Sequence, residues 1–286
     1  MDTASDKPSA ARITLSKGQQ IGLVAIAGLA AVTVGYLLPG GSDWYNVIRP
    51  ASLALLSGKS PFSVPLWFSP IWGLLPFLPL ALLPARVGHA ILFAVSLSAY
   101  TYAVGKMKAR PLGMALFLLS PPIVTALWLD STDWIPLLGF VLPPQIGLFF
   151  VALKPQLGLP ITIFWFAEAV RKGPKEVLRV FGPVAIAGGL MIAVYGISPF
   201  LAGSQLIGIA HNASLWPVSL PIGLGLVVAA LRKRDHRYAI AAGPCLSPYV
   251  MITSWSAPLL AIAASTAETA AAVGGLWILA YLQTGL

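Results

Sequence analysis

Apolar residues in this chain run in long unbroken stretches, and alternation with period two is rare. Such runs suit helices that cross a bilayer, which need about 20 predominantly apolar residues, and not barrel strands, which alternate. The pattern predicts helices over residues 20–38, 66–84, 87–105, 111–128, 134–143, 145–170, 178–196, 214–231, 238–254 and 257–282. The fold class expected is therefore an all-α polytopic membrane protein of about ten transmembrane helices. Segment 134–143 is short and stops at Pro143 and Pro144, so a half-helix or re-entrant piece is the alternative there. Residues 1–19 form a polar tail, followed by a single transmembrane domain, 20–286. The long polar head and long apolar core of the first segment read as a retained anchor, not a cleaved signal peptide.

Between the first two runs lies "GSDWYNVIRPASLALLSGKSPF", residues 41–62, inside a polar-to-amphipathic loop spanning 39–65. Trp44, Val47, Ile48, Leu53, Leu55 and Leu56 give an imperfect apolar face, as expected of a helix lying in the membrane interface. Pro50 favours a kink or a fresh helix start, and Gly58 ends the segment.

Composition sharpens the picture. Of 286 residues, 57% are hydrophobic and 9% charged, with a mean hydropathy of +0.83, against about 25% charged in soluble domains. A net charge of +9 would suggest nucleic acid in a soluble chain. Here the basic residues sit in short loops beside apolar runs, which is a topology signal. With ten spans and cytoplasmic termini, twelve basic residues fall inside (Lys7, Arg12, Lys17, Arg86, Arg171, Lys172, Lys175, Arg179, Arg232, Lys233, Arg234, Arg237). Five fall outside: Arg49, Lys59, Lys106, Lys108 and Arg110. The last three, in "GKMKAR", oppose the rule. They move inside if both 134–143 and the proline-broken 66–84 fail to cross. The single cysteine, Cys245, forms no internal disulfide and leaves the redox compartment unread. The localisation expected is the plasma or inner membrane, multi-pass.

Few residues remain to carry chemistry. Asp43 stands just beyond the first span, on the expected outer face. Lys154 lies in the apolar run "QIGLFFVALKPQLGLPITIFWF", where an ionisable group costs roughly 2.5–3.5 kcal/mol on insertion scales and marks a functional site by default. The plainer reading is a snorkelling lysine, or one paired with a carboxylate such as Glu268. Arg49 and Lys59 are secondary cations. Asp130 and Asp133 in "LDSTDWIP" read as a solvated loop or helix N-cap, on the inner side in the ten-span arrangement and so away from Asp43. His211 and Asn212 occupy an outer loop, and Asn212–Ser214 also form a glycosylation sequon. There is no Walker loop, dinucleotide fingerprint or Cys–His cluster. No cofactor is indicated, and one carboxylate makes a poor cage for a divalent cation.

Five stretches in order, "SDWYNVIRPASLALLSGKSPF", "WFSPIWGLLPFLPLALLP", "LKPQLGLPI", "NASLWP" and "LSPYVMITSWSAPLL", resemble glycosyltransferase family 87, the polyprenol-phosphate-mannose-dependent transferases of the GT-C superfamily, across residues 20–262. The resemblance implies a multi-helix membrane enzyme with a catalytic acidic residue in its first outer loop, here Asp43. It implies a polyprenyl-phosphate sugar donor, with Lys154, Gln156, Arg49, Lys59, His211 and Asn212 as substrate-binding candidates. It further implies transfer of a hexose, most naturally mannose, with inversion, to a lipid or glycan acceptor at the outer face. At the Asp130–Asp133 stretch the chain departs from the family's Gly-Gln pair, with Asp130 and Ser131 in its place. An inactive structural subunit of a larger membrane complex and a lipid or solute transporter are the alternatives. Nucleic acid is not an expected partner; membrane lipids are.

Overall fold

The computed structural model describes residues 16–197 and 212–284; within them every regular element is helical and there is no strand. Helix α1 (Lys17–Leu37) opens on a capping box in which Ser16 and Gln19 satisfy each other's backbone N–H groups. Proline sets most of the other starts. Helices α5 (Pro111–Leu118), α6 (Pro121–Leu129), α8 (Pro144–Val151), α9 (Pro155–Lys172) and α10 (Pro174–Tyr195) each begin on one. There its fixed φ suits the helix and its missing N–H costs no hydrogen bond.

Three helices are long and apolar enough to cross a membrane: α1, α4 (Ala85–Lys106) and α10. A fourth crossing arises if α5 and α6, bent by 53° at their junction, count as one. Only 6% of the apolar stretch of α1 and 11% of that of α10 is buried, against 56% for α4. So α4 is central, while α1 and α10 offer apolar flanks to their surroundings, as in an all-α integral membrane protein.

Several expected spans are fractured, and most of the breaks fall at proline; the exception is 257–282, which breaks at Ala263–Ser265. Segment 66–84 is a 3-10 turn, Ile71–Phe77, holding Pro76 and running into the four-residue α3 (Leu78–Ala81). Segment 145–170 divides into α8 and α9 before Pro155. Segment 238–254 is the short α12 (His236–Ala242) and two 3-10 turns, Pro244–Leu246 and Ile252–Trp255; α11 (Leu220–Lys233) precedes it. Segment 257–282 divides into α13 (Ser256–Ile262) and α14 (Thr266–Thr284). The amphipathic stretch after Asp43 forms a π-helical turn, Trp44–Ile48, continuous with α2 (Arg49–Leu56). Its Trp44, Ile48, Ala51 and Ser52 are buried against the protein.

The chain ends of these elements meet in a definite order. Arg86, in the first turn of α4, donates from Nε to the Tyr36 carbonyl at 2.9 Å and stacks its guanidinium on the Tyr36 ring. The excursion over residues 38–84 therefore leaves and returns at the same end of the α1–α4 pair. Helix α7 (Trp134–Phe140) turns back through Pro143 into α8, and the two touch backbone to backbone. A Cβ on Gly147 would lie 2.5 Å from the Gly139 carbonyl oxygen, so that close approach needs glycine. At the far end of the molecule Glu168 of α9 pairs with Arg234, just past α11, at 2.7 Å and with Arg171. Trp44, Leu74, Phe77, Tyr100, Leu137 and Leu157 form the fully buried centre.

Candidate functional site

Helix α1 cannot continue past Leu37 because Pro39 follows within two residues. The next two residues are glycines pressed against another part of the chain. Gly41 donates its N–H to the Trp128 carbonyl at 2.8 Å. A Cβ on Gly40 would come within 2.2 Å of that carbonyl oxygen, and Gly41 holds φ +91°, in the region that favours glycine. Trp44, fully buried, donates from Nε1 to the Ala85 carbonyl at 2.8 Å. Asp43 lies between these two anchors, half-buried, with Ser42 Oγ at 3.4 Å from its Oδ1. Burial pushes its carboxyl up to about 6 from 3.8; Lys154 pulls it down, and Asp133 and Asp130 push it up.

Lys154 occupies the break between α8 and α9, not a helix interior, with a non-helical backbone (φ −132°, ψ 82°) as the residue before Pro155. Its Nζ donates to Asp133 Oδ2 at 2.7 Å and lies 3.5 Å from Ser131 Oγ. Ser131 Oγ donates to the same carboxylate oxygen at 2.6 Å, and Ser254 Oγ lies 3.4 Å from Oδ1. Asp133 is wholly buried and Lys154 nearly so, at 0% and 12% side-chain exposure. Burial raises the Asp133 carboxyl, but Lys154 and the serine outweigh it and hold the group below its ordinary value. Glu268, weighed as the lysine's partner, instead stands in the first turn of α14.

This corrects the reading of Asp130 and Asp133 as a solvated loop or N-cap remote from Asp43. Asp133 precedes α7 yet caps nothing with its side chain. Both aspartates are buried, and Asp130 Oδ2 lies 2.5 Å from His89 Nδ1. The physical reason is the return of α8, which brings a cation to a carboxylate that would not tolerate burial alone. Tyr249 lies within reach of both Asp133 and Asp43: burial chiefly raises its phenol, and the two carboxylates add to the effect.

The other candidates divide. Arg49 is half-buried and Lys59 exposed; neither side chain makes a hydrogen bond or ion pair among the described residues. Gln156 lies in the first turn of α9, half-buried. Asn212 ties loops together: Nδ2 donates to the Pro248 carbonyl at 2.8 Å while Oδ1 accepts from the Ser214 and Val250 N–H groups. Its amide thereby supports the irregular stretch that carries Tyr249. His211 lies outside the described residues. Among those described, no three His, Cys, Asp or Glu side chains converge as metal ligands. Sequence reasoning missed His89, Ser131, Ser254 and Tyr249. For His89 a signal existed, since an ionisable ring inside an apolar helix invites the argument applied to Lys154. For the serines there was none.

The site thus offers one half-buried carboxylate raised to about 6, a second held ionised, and an ammonium bonded to the second that also acts electrostatically on the first. Compared with protein-family models, curated proteins and solved structures, the chain matches none.

Proposed function

We propose that this chain is a membrane glycosyltransferase that moves a hexose, most naturally mannose, from a polyprenyl-phosphate donor to an acceptor hydroxyl. The observation that carries the reading is a lone, proton-accepting carboxylate, Asp43, within electrostatic reach of the buried ammonium of Lys154. A polyprenyl phosphate leaves already ionised, so the reaction requires one base and a cation but no general acid. Asp43 takes the acceptor's proton as the hydroxyl oxygen bonds to the anomeric carbon. The bond from that carbon to the phosphate oxygen breaks on the opposite face, and the electron pair departs with the phosphate. Inversion follows from one in-line displacement, in contrast to the paired carboxylates of glycoside hydrolysis.

Lys154 supplies positive charge where negative charge develops. Its ammonium has three donors; Asp133 takes one and Ser131 lies near another, leaving at least one for a phosphate oxygen. Asp133 then serves to aim the lysine. It also offsets much of its charge, which favours a donor that binds by hydrogen bonds and its lipid tail as well as by charge. The exposed apolar flanks of α1 and α10 suit that tail's environment.

The same arrangement supports the second topology left open by the sequence, in which neither 66–84 nor 134–143 crosses. Helix α4 then returns to the side from which α1 starts. Lys106, Lys108 and Arg110 join the inner group, and Arg86 moves outward. Fourteen of the 18 basic residues fall inside, leaving Arg49, Lys59 and Arg86 outside and Lys154 in the site. No basic cluster then opposes the positive-inside rule.

The test is transfer from radiolabelled polyprenyl-phosphate mannose in membranes holding the intact protein or Asp43→Asn. We expect the substitution to lower the rate by at least about 100-fold, the scale of a lost general base. Equal rates remove Asp43 from the chemistry. No transfer by the intact protein, combined with uptake of solute into vesicles, would favour a transporter instead.

A further inference from the structure

His89 and Asp130 take no part in the reaction just described, yet both are 1% exposed and their side chains meet at 2.5 Å. A histidine and an aspartate buried this deeply in an apolar bundle are costly unless they satisfy one another. They come from distant parts of the chain: His89 from the first turns of α4, Asp130 from the left-handed residue (φ 58°) that ends α6. What lies on top of them is the loop that carries Asp43. A Cβ on Gly41 would stand 2.7 Å from His89 Nδ1 and 2.9 Å from Asp130 Oδ2, so the Gly41 backbone rests on the pair itself. The same loop is tied to Trp128 by the Gly41 N–H, and the Tyr45 ring lies 5.8 Å from the His89 ring.

Two residues beyond Gly41 is Asp43; three beyond Asp130 is Asp133, the partner of Lys154. The pair therefore stands where the segment bearing the proposed base touches the segment that aims the proposed cation, beside the contact of Gly40 and Gly41 with Trp128. We infer that His89 and Asp130 form a positioning dyad: the hydrogen bond from His89 Nδ1 to the Asp130 carboxylate sets the distance between Asp43 and the Asp133–Lys154 pair. Neither residue contacts substrate; each acts through the loop it holds. Geometry of this kind matters because a displacement of about 1 Å at a reacting group costs on the order of 100-fold in rate. The inference rests on the transferase reading only for its effect on rate; its effect on the loop is independent of any reaction.

The experiment compares His89→Asn, His89→Gln and His89→Leu in the full-length protein in lipid nanodiscs. An asparagine amide nitrogen falls near the Nδ1 position, whereas a glutamine amide nitrogen falls near Nε2, and leucine has no donor. Hydrogen exchange of the backbone amides over residues 40–45 is read first. We expect His89→Asn to stay within about threefold of the unsubstituted protein, and His89→Gln and His89→Leu to exchange at least about 10-fold faster there. Exchange in α9, at the Arg171 end, should not change. Transfer is read second, with kcat falling in the Gln and Leu variants, KM for donor holding, and Asn restoring kcat. Asp130→Asn should resemble His89→Gln. The proposal is overturned if Asn and Leu behave alike, or if Leu is the best tolerated, since packing alone then explains the site. Exchange that follows the expected order without transfer in any protein would retain the dyad and sink the transferase reading instead.

Discussion

Replacing Lys154 by methionine separates what the lysine does for the fold from what it does for the chemistry. Nζ and Asp133 Oδ2 are 2.7 Å apart, with exposures of 12% and 0%. At an effective dielectric of about 20 the gross attraction at that separation is roughly 6 kcal/mol. Desolvation of two ions offsets most of it, so the intact pair contributes little net stability. Removing one partner is a different matter, because the other charge is left buried: the expected loss is about 3–5 kcal/mol. Ser131 and Ser254 still donate to Asp133, which places Lys154→Met near the lower end of that range. Asp133→Leu should cost about as much, since the lysine is then orphaned. The double variant Lys154→Met/Asp133→Leu removes both charges and should recover to within about 1 kcal/mol of the unsubstituted protein. Unfolding in mixed micelles, monitored by tryptophan fluorescence, measures all four members of the cycle. Transfer is assayed on the same preparations, and the double variant should remain inactive despite its recovered stability. Single losses below about 1 kcal/mol would refute the buried pair. Recovery of transfer together with stability would refute the placement of Lys154 at the phosphate.

Other expectations follow from the same geometry. The Asp43 carboxyl sits at about 6 where an ordinary one is 3.8, so its charged form is disfavoured in the folded state. From this group, stability rises as pH falls through about 6 and the gain stops below the ordinary value, while kcat/KM falls along the same acid limb. Asp43→Asn should therefore stabilise the protein, by about 1–2 kcal/mol once its partial exposure is allowed for, while abolishing transfer; equal or lower stability would contradict the burial argument. Lys154→Ala should move the Asp43 titration to higher pH, read from the protonated-carboxyl infrared band that Asp43→Asn removes, because a cation that favours the carboxylate has gone. An unmoved titration would mean the two groups do not sense each other. Gly41→Ala forces a Cβ into the His89–Asp130 contact at φ +91° and should destabilise by about 2 kcal/mol or more, read by micelle unfolding. Trp44→Phe keeps most of the packing but removes the indole hydrogen bond to the Ala85 carbonyl, for a loss of about 1 kcal/mol in the same assay.

Much of this protein was legible in its sequence because the determining physics is local. Helical class follows from continuous apolar runs, since backbone in hydrocarbon must satisfy its own hydrogen bonds. The break at Pro143 follows from proline chemistry and was expected, whereas Pro155 and Pro244 fall inside segments read as continuous helices and break them all the same. The two groups singled out as chemically unusual, Asp43 and Lys154, stood out because charges are rare and expensive in such a chain. Their partners were not legible. Whether 66–84 and 134–143 cross or turn back is decided by packing, as Arg86 on Tyr36 and Gly139 against Gly147 illustrate, and hydropathy cannot distinguish the outcomes. That choice set which end of the molecule Asp130 and Asp133 occupy. It converted two apparently solvated carboxylates into buried ones, paired with His89, 41 residues before Asp130, and with Lys154, 21 residues after Asp133. Composition and local pattern determined which groups were costly to bury. Only the tertiary structure decided what each was buried against, because a buried charge is tolerated through a partner that the chain's path, and not its neighbours in sequence, brings to it.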